Sequence, residues 1–364
     1  MKLDWYFARR FFWTFSGVFT VFLLILSFLG IVEQVRQFSG SEATFSQTLT
    51  LAALNIPQAI YGILPLVMIV ATIALFLGLS RSSEMVVTRA AGRGALRAMV
   101  PPLMVSLIIG LLSIAILNPI VAATSRQYEI QSDELKGQSS VLAIGATGLW
   151  LRQGNETGQT VIHADSANLN GTLLRDVTFT TFSPNGLPTR RIAAQQARLT
   201  SGAWELDKVK SWPLVRDAVP EAAATVHESL TVPSTLTPDQ IRDSFGTPSS
   251  IPIWELPNFI KRLQTAGFSA QRHQVWLHME LSLPVFLMSM VLVGAAFTLR
   301  HQRGGRTGLM VLLAILISFG MYFLRNFTQI LGENGQLPVL LAAWIPPLAS
   351  IGLSMGLLLH NEDG

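Results

Sequence analysis

The sequence has no cysteine and few charged side chains. The absence of cysteine from 364 residues excludes disulfide bonds and metal sites with thiolate ligands. Asp, Glu, Lys and Arg together make up 13% of the chain, about half the share of an average soluble domain, whereas 50% of the residues are hydrophobic. This balance indicates a chain for which a lipid bilayer is the solvent.

Motifs for phosphate, metal and nucleophilic chemistry are also missing. Gly92-Arg93-Gly94 lacks the Gly-Lys-Ser/Thr that completes a Walker A loop, so we expect no nucleotide hydrolysis by this route. His273, His278 and Glu280 come closest to a metal cluster, but their spacing is not His-Glu-x-x-His, and an interfacial polar cluster is the simpler interpretation. No Ser/His/Asp arrangement is recognisable, although a triad has no fixed spacing.

Six apolar segments are candidates to cross the bilayer. A helix needs about 20 apolar residues to span about 30 Å of hydrocarbon. The first segment is long and rich in Phe, Trp and Leu, so we expect an uncleaved helix rather than a signal peptide. Pro65 is expected to kink the second segment. The segments are residues 11–32, 56–79, 99–121, 281–299, 308–324 and 337–359.

The distribution of lysine and arginine orients these segments. Cytoplasmic loops of membrane proteins carry an excess of both residues. Ten flank the segments on one side, whereas two, Arg36 and Arg325, flank them on the other. We therefore expect both termini in the cytoplasm and residues 122–275 in the periplasm of a double-membrane bacterium. The ten are Lys2, Arg9, Arg10, Arg81, Arg89, Arg93, Arg97, Arg300, Arg303 and Arg306.

Residues 122–275 are polar and contain repeated turn signals. Asn170-Gly171, Asn185-Gly186 and Ser201-Gly202 separate short alternating runs, as in β-hairpins. Short strands at such spacing favour a sandwich or jelly roll. Near the end, apolar residues at helical spacing predict an amphipathic connecting helix over residues 253–267, which we expect at the membrane surface.

The predicted fold class is therefore an α-helical polytopic membrane protein with six transmembrane helices in a 3+3 arrangement and an inserted periplasmic β-jellyroll-like domain. We expect helices 1–3 within residues 1–121, the β domain with its connecting helix within residues 122–275, and helices 4–6 within residues 276–364.

The loop between the second and third segments is the most informative short region. Its serines lead into Glu84, a carboxylate that suits the first turn of a helix, and Gly92 is a typical helix end. We expect a short amphipathic helix near residues 82–92 on the cytoplasmic face. It is either a connector with positive-inside arginines or a coupling helix that inserts into a separate ATPase.

Residues 83–92, with the pattern Ser-Glu-Met-Val-Val-x-x-Ala-x-Gly, resemble the coupling region of the LptF/LptG permease family. Within that family, Gly148-Leu149-Trp150 and residues 256–267 are similar to the corresponding segments of the LptG subunit. The order of these motifs and the 3+3 layout extend the resemblance to nearly the whole chain.

The resemblance implies a permease subunit of the ATP-driven lipopolysaccharide exporter in the bacterial inner membrane. Such a chain would have no catalytic site, metal, cofactor or nucleic-acid partner of its own. It would pair with LptF, bind a dimer of the ATPase LptB, which uses ATP and Mg²⁺, and work with LptC and the periplasmic LptA bridge. Glu84, Met85 and Arg89 would couple it to the ATPase.

Cations and large apolar side chains near the membrane are candidate contacts for lipopolysaccharide. Its phosphates attract cations, and the first and fifth spans line the lipid path in the family that the chain resembles. The alternative for each residue is an ordinary interfacial anchor or a lipid-facing side chain. The candidates are Arg36, Arg126, Arg272, Arg325, Phe22, Leu26, Phe319, Tyr322 and Phe323.

Two other functions fit the same layout. One is the LptF paralogue of the same complex. The other is a membrane sensor or scaffold with a periplasmic ligand-binding β domain, which would not need the short helix to touch an ATPase.

Overall fold

The computed structural model divides the chain into two compact units. The helical unit comprises Met1–Leu135, Ser249–Trp254 and Gln271–Gly364, and the sheet unit comprises Lys136–Pro248 and Glu255–Ala270. The structure describes residues 2–38, 44–82, 84–90, 94–135, 142–145, 148–155, 158–168, 172–183, 186–214, 221–234, 236–237, 241, 247–265, 269–298 and 307–362.

Ten α-helices lie within the described residues. Helix α7 belongs to the sheet unit, and the others belong to the helical unit. Their bounds are α1 Lys2–Gln37, α2 Phe45–Gly62, α3 Leu64–Arg81, α4 Glu84–Ala90, α5 Ala95–Leu112, α6 Asn118–Leu135, α7 Leu256–Thr265, α8 Gln271–Thr298, α9 Thr307–Glu333 and α10 Val339–Glu362.

Six helical stretches of the described chain are long and apolar enough to cross a membrane. Three precede the strands and three follow them, which confirms the predicted polytopic membrane protein with a 3+3 arrangement and an inserted β domain. The six are Lys2–Gln37, Leu64–Arg81, Arg97–Ser132, Gln271–Thr298, Gly308–Glu333 and Val339–Leu359.

The second predicted span is two helices rather than one kinked helix. Helix α2 ends at Gly62, and α3 begins at Leu64 with Pro65 in its first turn, where a missing backbone N–H costs no helical hydrogen bond. The hydroxyl of Tyr322 on α9 donates to the carbonyl oxygen of Gly62 at 3.1 Å. The Gly62 carbonyl lies at the end of α2, where carbonyl oxygens lack a donor from their own helix, and the Tyr322 hydroxyl supplies one.

The third span continues well beyond its predicted end. A π-helical turn, Ser113–Leu117, joins α5 to α6, and helical structure runs on to Leu135. Residues 122–135, predicted to lie in the β domain, are therefore helical and belong to the helical unit. Hydropathy falls after Val121, but no glycine or proline follows there to end the helix.

Helix α8 lies at the centre of the helical core. It packs against α3 and α5 on the one hand and against α9 and α10 on the other, and its buried side chains form the middle of the hydrophobic cluster. Two glycines allow close approach between helices: a Cβ atom on Gly110 would lie 2.6 Å from Cα of Pro284, and one on Gly294 would lie 2.8 Å from a methyl group of Thr72. Small residues serve this purpose widely in membrane helix packing.

A polar cluster is buried in the same core. Glu280 of α8 is 1% exposed and accepts hydrogen bonds from the Tyr61 hydroxyl and from Nδ2 of Asn118, the latter at 3.2 Å. The Oδ1 atom of Asn118 accepts the backbone N–H of Ile253 at 2.9 Å. The cluster therefore joins α2, α6 and α8 to the short segment Ser249–Trp254.

The sheet unit contains a seven-stranded antiparallel sheet among the described residues. Each strand pairs with its neighbours in sequence, so the order is a simple meander rather than the double Greek key of a jelly roll. The strands are β1 Leu142–Gly145, β2 Gly148–Asn155, β3 Gly158–Ala167, β4 Leu173–Phe182, β5 Pro188–Thr200, β6 Ala203–Pro213 and β7 Thr225–Pro233.

One face of the sheet is buried. Phe179 of β4 and Trp204 of β6 are fully buried and meet edge to face, with ring centroids 6.2 Å apart. The predicted turn Ser201-Gly202 joins β5 to β6, and Gly202 has the positive φ of +81° that favours glycine. The predicted turn Asn170-Gly171 and residue Asn185 lie outside the described residues.

The connecting helix predicted over residues 253–267 is present as α7, but its environment differs from the expectation. Leu256, Ile260 and Leu263, which form its apolar side, are buried within the protein. Lys261 and Arg262 are exposed. The apolar stripe is therefore covered by protein rather than left free for a membrane surface.

Candidate functional site: the short helix between α3 and α5

Helix α4 packs on the rest of the helical unit through one side. Met85 and Thr88 are buried, whereas Val87 is 68% exposed. The Thr88 hydroxyl donates to the carbonyl oxygen of Glu84 at 2.8 Å. The predicted amphipathic helix therefore exists as Glu84–Ala90, and the side chain of Arg89 lies outside what the structure describes.

The carboxylate of Glu84 is bound by three side chains of the same chain. Nη1 of Arg10 lies 2.6 Å from both carboxylate oxygens. The Tyr6 hydroxyl donates to Oε2 at 2.7 Å, and the Ser82 hydroxyl donates to Oε1 at 2.8 Å. We call Tyr6, Arg10, Ser82 and Glu84 the α1–α4 clasp, because it joins the first span to the short helix.

The clasp keeps Glu84 ionised. Partial burial acts to raise the pKa of this carboxyl, but hydrogen bonds from Arg10, Tyr6 and Ser82 outweigh burial and hold the pKa below its usual range. Because the pKa is lowered in the folded protein, the stabilisation is fully present above the usual pKa of glutamate. It is lost as the pH falls through the lowered value.

Helix α1 presents the clasp residues in a fixed arrangement. Tyr6 and Arg10 are four residues apart on one helical face, and the guanidinium lies 5.6 Å from the centre of the tyrosine ring. Phe7 and Phe11 are buried beside them and anchor this part of α1 in the core. Arg10 also lies beside α3, with its Nη2 atom 4.0 Å from the position that a Cβ atom on Gly78 would take.

Sequence reasoning found Glu84 but missed Tyr6, Arg10 and Ser82. Arg10 lies 74 residues from Glu84, and the positive-inside rule explains its charge without any partner. The i, i+4 spacing of Tyr6 and Arg10 is the one local signal, and many membrane helices have such pairs.

The predicted lipopolysaccharide-contacting cations lie at separate places. Arg36 forms an ion pair with Glu33 one turn away at 3.8 Å. Arg272, at the start of α8, pairs with Glu333, at the end of α9, at 3.9 Å. Arg126 is exposed on α6.

Arg325 has a different environment from the other candidate cations. Its Nη2 atom donates to the carbonyl oxygen of Met279 at 3.3 Å, and its guanidinium lies 5.4 Å from the ring centre of Phe286. The side chain therefore binds between α9 and α8. In this position it contributes to helix packing within the unit.

The predicted apolar contacts divide into packed and exposed side chains. Phe22 of α1 packs partly against the core, and Leu26 is half-buried. Tyr322 binds the helix break at Gly62. Phe319 and Phe323 of α9 are exposed, and Phe323 helps to line an open apolar groove of about 530 Å³ together with residues of α9 and α10.

The histidines near Glu280 do not form a metal centre with it. Glu280 binds Tyr61 and Asn118 instead. Across the described part of the chain, no three His, Asp or Glu side chains are grouped as metal ligands would be.

Two triplets of helices long and apolar enough to cross a membrane, with a sheet inserted between them in the sequence, define a polytopic membrane protein with an inserted β domain. Comparison with known families is more specific. Residues 5–360 match the family described as lipopolysaccharide export system permease LptF/LptG, and the chain belongs to this family.

Two relatives carry the same name. The chain is 23% identical over 363 residues to lipopolysaccharide export system permease protein LptG of Haemophilus influenzae, with 96% of each chain covered. It is 24% identical over 374 residues to the LptG protein of Escherichia coli strain K12, covering 99% of this chain and 98% of the relative. The chain is thus a multi-pass inner-membrane permease of the lipopolysaccharide export system, which is an ABC transporter.

Proposed function

We propose that the chain is the LptG-type permease subunit, which extracts lipopolysaccharide from the inner membrane and passes it to a periplasmic jelly-roll bridge leading to the outer membrane. The family match over residues 5–360 carries this proposal. The LptG names of two relatives with near-complete coverage favour this subunit over its LptF paralogue.

The proposed orientation has both termini in the cytoplasm and the sheet unit in the periplasm. The excess of lysine and arginine beside one set of span ends supports it. In this orientation α4 lies on the cytoplasmic side, where an ATPase is accessible, and the sheet lies where lipid leaves the membrane.

The proposed partners are LptF, an LptB dimer, LptC and LptA. ATP and Mg²⁺ are used by LptB, so the chain itself has no catalytic role. Helix α4 couples it to LptB, and residues Glu84, Met85 and Arg89 serve this coupling. Because Met85 is buried and Val87 is exposed, Met85 docks α4 onto its own chain and the Val87 side faces LptB.

The acyl chains of the proposed substrate require an apolar path out of the membrane. Moving acyl chains from a bilayer into water costs about 0.8 kcal/mol for each CH₂ group. Exposed aromatic and aliphatic side chains such as Phe319 and Phe323 offer an apolar surface along which the acyl chains leave. Arg36, Arg126, Arg272 and Arg325 are the proposed contacts for phosphates and core sugars.

Depletion of the chain in its native bacterium tests the proposed function. Newly made, radiolabelled lipopolysaccharide should accumulate in the inner-membrane fraction, because no permease extracts it. A plasmid copy of the wild-type chain should restore delivery to the outer membrane. Normal delivery in depleted cells would favour a sensor or scaffold instead.

A further inference from the structure

We propose that Asn118 and Glu280 are positioning residues for the handover of lipopolysaccharide, because they join the parts of the helical unit from which the chain passes into the sheet unit. These parts are α6, α8 and the short segment Ser249–Trp254, which we call the strap. The inference rests on the proposed function, since it assumes that lipid extracted by the spans is handed on at the periplasmic side.

The course of the chain is the first argument. The chain passes between the helical unit and the sheet unit four times. It leaves the helical unit after Leu135 at the end of α6, returns and leaves again at the two ends of the strap, and returns at Gln271, where α8 begins. Every covalent connection to the sheet unit therefore runs through α6, the strap or α8.

The contacts of Asn118 are the second argument. This residue belongs to α6, and its Nδ2 atom donates to the carboxylate of Glu280 on α8 at 3.2 Å. Its Oδ1 atom accepts the backbone N–H of Ile253 in the strap at 2.9 Å. One side chain therefore joins all three parts. Asn118, Ile253 and Glu280 are 2%, 4% and 1% exposed, so water does not compete for these bonds.

A second set of hydrogen bonds ties the strap to the same helix and is the third argument. Ser125 follows Asn118 by seven residues, two helical turns, and so lies on the same face of α6. Its hydroxyl donates to Oε1 of Gln58 in α2 at 3.0 Å, and Nε2 of Gln58 donates to the hydroxyl of Ser249 at 3.4 Å. The strap is thus fastened near both of its ends.

The chemistry of Glu280 is the fourth argument. A carboxylate inside a membrane span is costly, and helix packing alone is served as well by an apolar side chain. What the carboxylate adds is direction. It accepts hydrogen bonds from Tyr61 and Asn118 together, and because the Nδ2 atom of Asn118 is held there, the Oδ1 atom faces Ile253. Glu280 thus acts on the strap through Asn118.

Loss of this joint has a specific consequence. The proposed ATPase contact, α4, lies outside the joint, so ATP hydrolysis should continue. The strap, however, would no longer move with α6 and α8, and lipid drawn into the spans would be handed on less often. The amount of lipopolysaccharide delivered per ATP hydrolysed is therefore the quantity that the joint controls.

An exchange of amide and carboxylate tests the inference at nearly constant side-chain shape. Asn118→Asp alone removes the donor to Glu280 and sets two carboxylates against each other. Glu280→Gln alone leaves one oxygen atom to accept from both Tyr61 and Asn118. In the double variant, the carboxylate at position 118 accepts the N–H of Ile253 and an amide N–H from position 280, so each bond of the joint has a partner again.

Each variant is assembled with the partner permease and the ATPase in vesicles that contain lipopolysaccharide. ATP hydrolysis and transfer of lipopolysaccharide to a soluble periplasmic acceptor are measured together. Gln34→Glu is the control, because it makes the same chemical change in a buried amide that joins α1 to α6 instead. The carboxylate created there can still accept the hydroxyl of Tyr128.

Asn118→Asp should lower the lipopolysaccharide delivered per ATP about five- to tenfold, and Gln34→Glu should lower it less. Adding Asn118→Asp, which is harmful alone, to Glu280→Gln should restore most of the delivery, and this comparison holds even where Asn118→Asp alone does not fold. A double variant that delivers no better than Glu280→Gln would overturn the inference. A wild-type complex that delivers no lipopolysaccharide would instead contradict the proposed function.

Thiol labelling follows the strap itself and needs no transport. The chain has no cysteine, so Ile253→Cys introduces a single buried thiol and keeps the backbone N–H. Relative to the exposed Trp254→Cys, a maleimide should label it about tenfold faster when Asn118→Asp is added, and the double exchange should slow labelling again. Equal rates in all three backgrounds would show that Asn118 and Glu280 do not hold the strap, and would overturn the inference.

Discussion

Glu84 and Glu280 are two carboxylates with opposite surroundings in the helical unit. Glu84 is about one-third exposed and faces a guanidinium, so its charge is balanced by Arg10. Glu280 is buried and faces the neutral donors Tyr61 and Asn118. Ionisable groups within membrane spans are rare and costly unless they have partners. The first carboxylate therefore joins α4 to α1 through a partly exposed ion pair, and the second joins helices inside the core.

Acid should release α4 from α1. Because its pKa is lowered, Glu84 supports the clasp above the usual pKa of glutamate and loses this contribution as the pH falls through the lowered folded value. Met85→Cys, buried by docking of α4, should be labelled slowly by a maleimide at neutral pH and faster, relative to the exposed Val87→Cys, at acidic pH.

Dividing the Met85→Cys rate by the Val87→Cys rate removes the intrinsic pH dependence of thiol labelling. In a Glu84→Gln background this ratio should be high at neutral pH and nearly independent of pH. A ratio that stays constant with pH in the presence of Glu84 would contradict the role of the carboxylate in docking α4.

At the scale of the element, the third span is shaped by its π-helical turn. In a regular α-helix, eight residues rotate by about 800°, which would place Asn118 about 80° away from Gly110. The wider turn at Ser113–Leu117 rotates less per residue. Gly110 can therefore pack on Pro284 while Asn118, on nearly the same face, binds Glu280.

Substitution of Gly110 should weaken the packing between α5 and α8. A Cβ atom there would lie 2.6 Å and 2.8 Å from two carbons of Pro284, and overpacking of this kind costs about 1–3 kcal/mol. Gly110→Ala should therefore lower the thermal unfolding midpoint in detergent.

Gly352→Ala in α10 is the matched control, because no atom lies within 4 Å of its added Cβ. Replacing glycine by alanine within a helix is favourable by about 0.5–1 kcal/mol where space allows. The control should leave the midpoint unchanged or raise it. Equal midpoints for Gly110→Ala and wild type would show that α5 and α8 are packed less tightly than the structure has them.

The elements that sequence reasoning predicted well are those with local signals. Long apolar runs reveal spans, and the positive φ at Gly202 follows from a Ser-Gly turn. The π-helical turn has no such signal, and the signals at the other two places are ambiguous: Pro65 fits a kink as well as a break at Ile63, and the fall in hydropathy after Val121 hides the continuation of the helix to Leu135. The contact between Arg10 and Glu84 has no local signal either, since the two are joined only by folding.

At the scale of the whole molecule, the chain places three tasks in three regions. Helix α4, with its clasp, follows α3, which is the second membrane-crossing helix of the first triplet. It is proposed to face an ATPase. The spans form the membrane part, with α8 at the centre of the core. The meander sheet, with one apolar face buried, is inserted between the helix triplets. This layout belongs to the lipopolysaccharide export permeases, of which the chain is a member.

Reconstituted transfer of lipopolysaccharide tests the central claim most directly. The chain, its partner permease and the ATPase are placed in vesicles that contain lipopolysaccharide, and transfer to a soluble periplasmic acceptor is followed by photocrosslinking. Transfer should require ATP and should fall to the nucleotide-free level when this chain is omitted. Equal transfer without the chain, or ATP hydrolysis by the complete complex with no lipopolysaccharide delivered, would contradict the account.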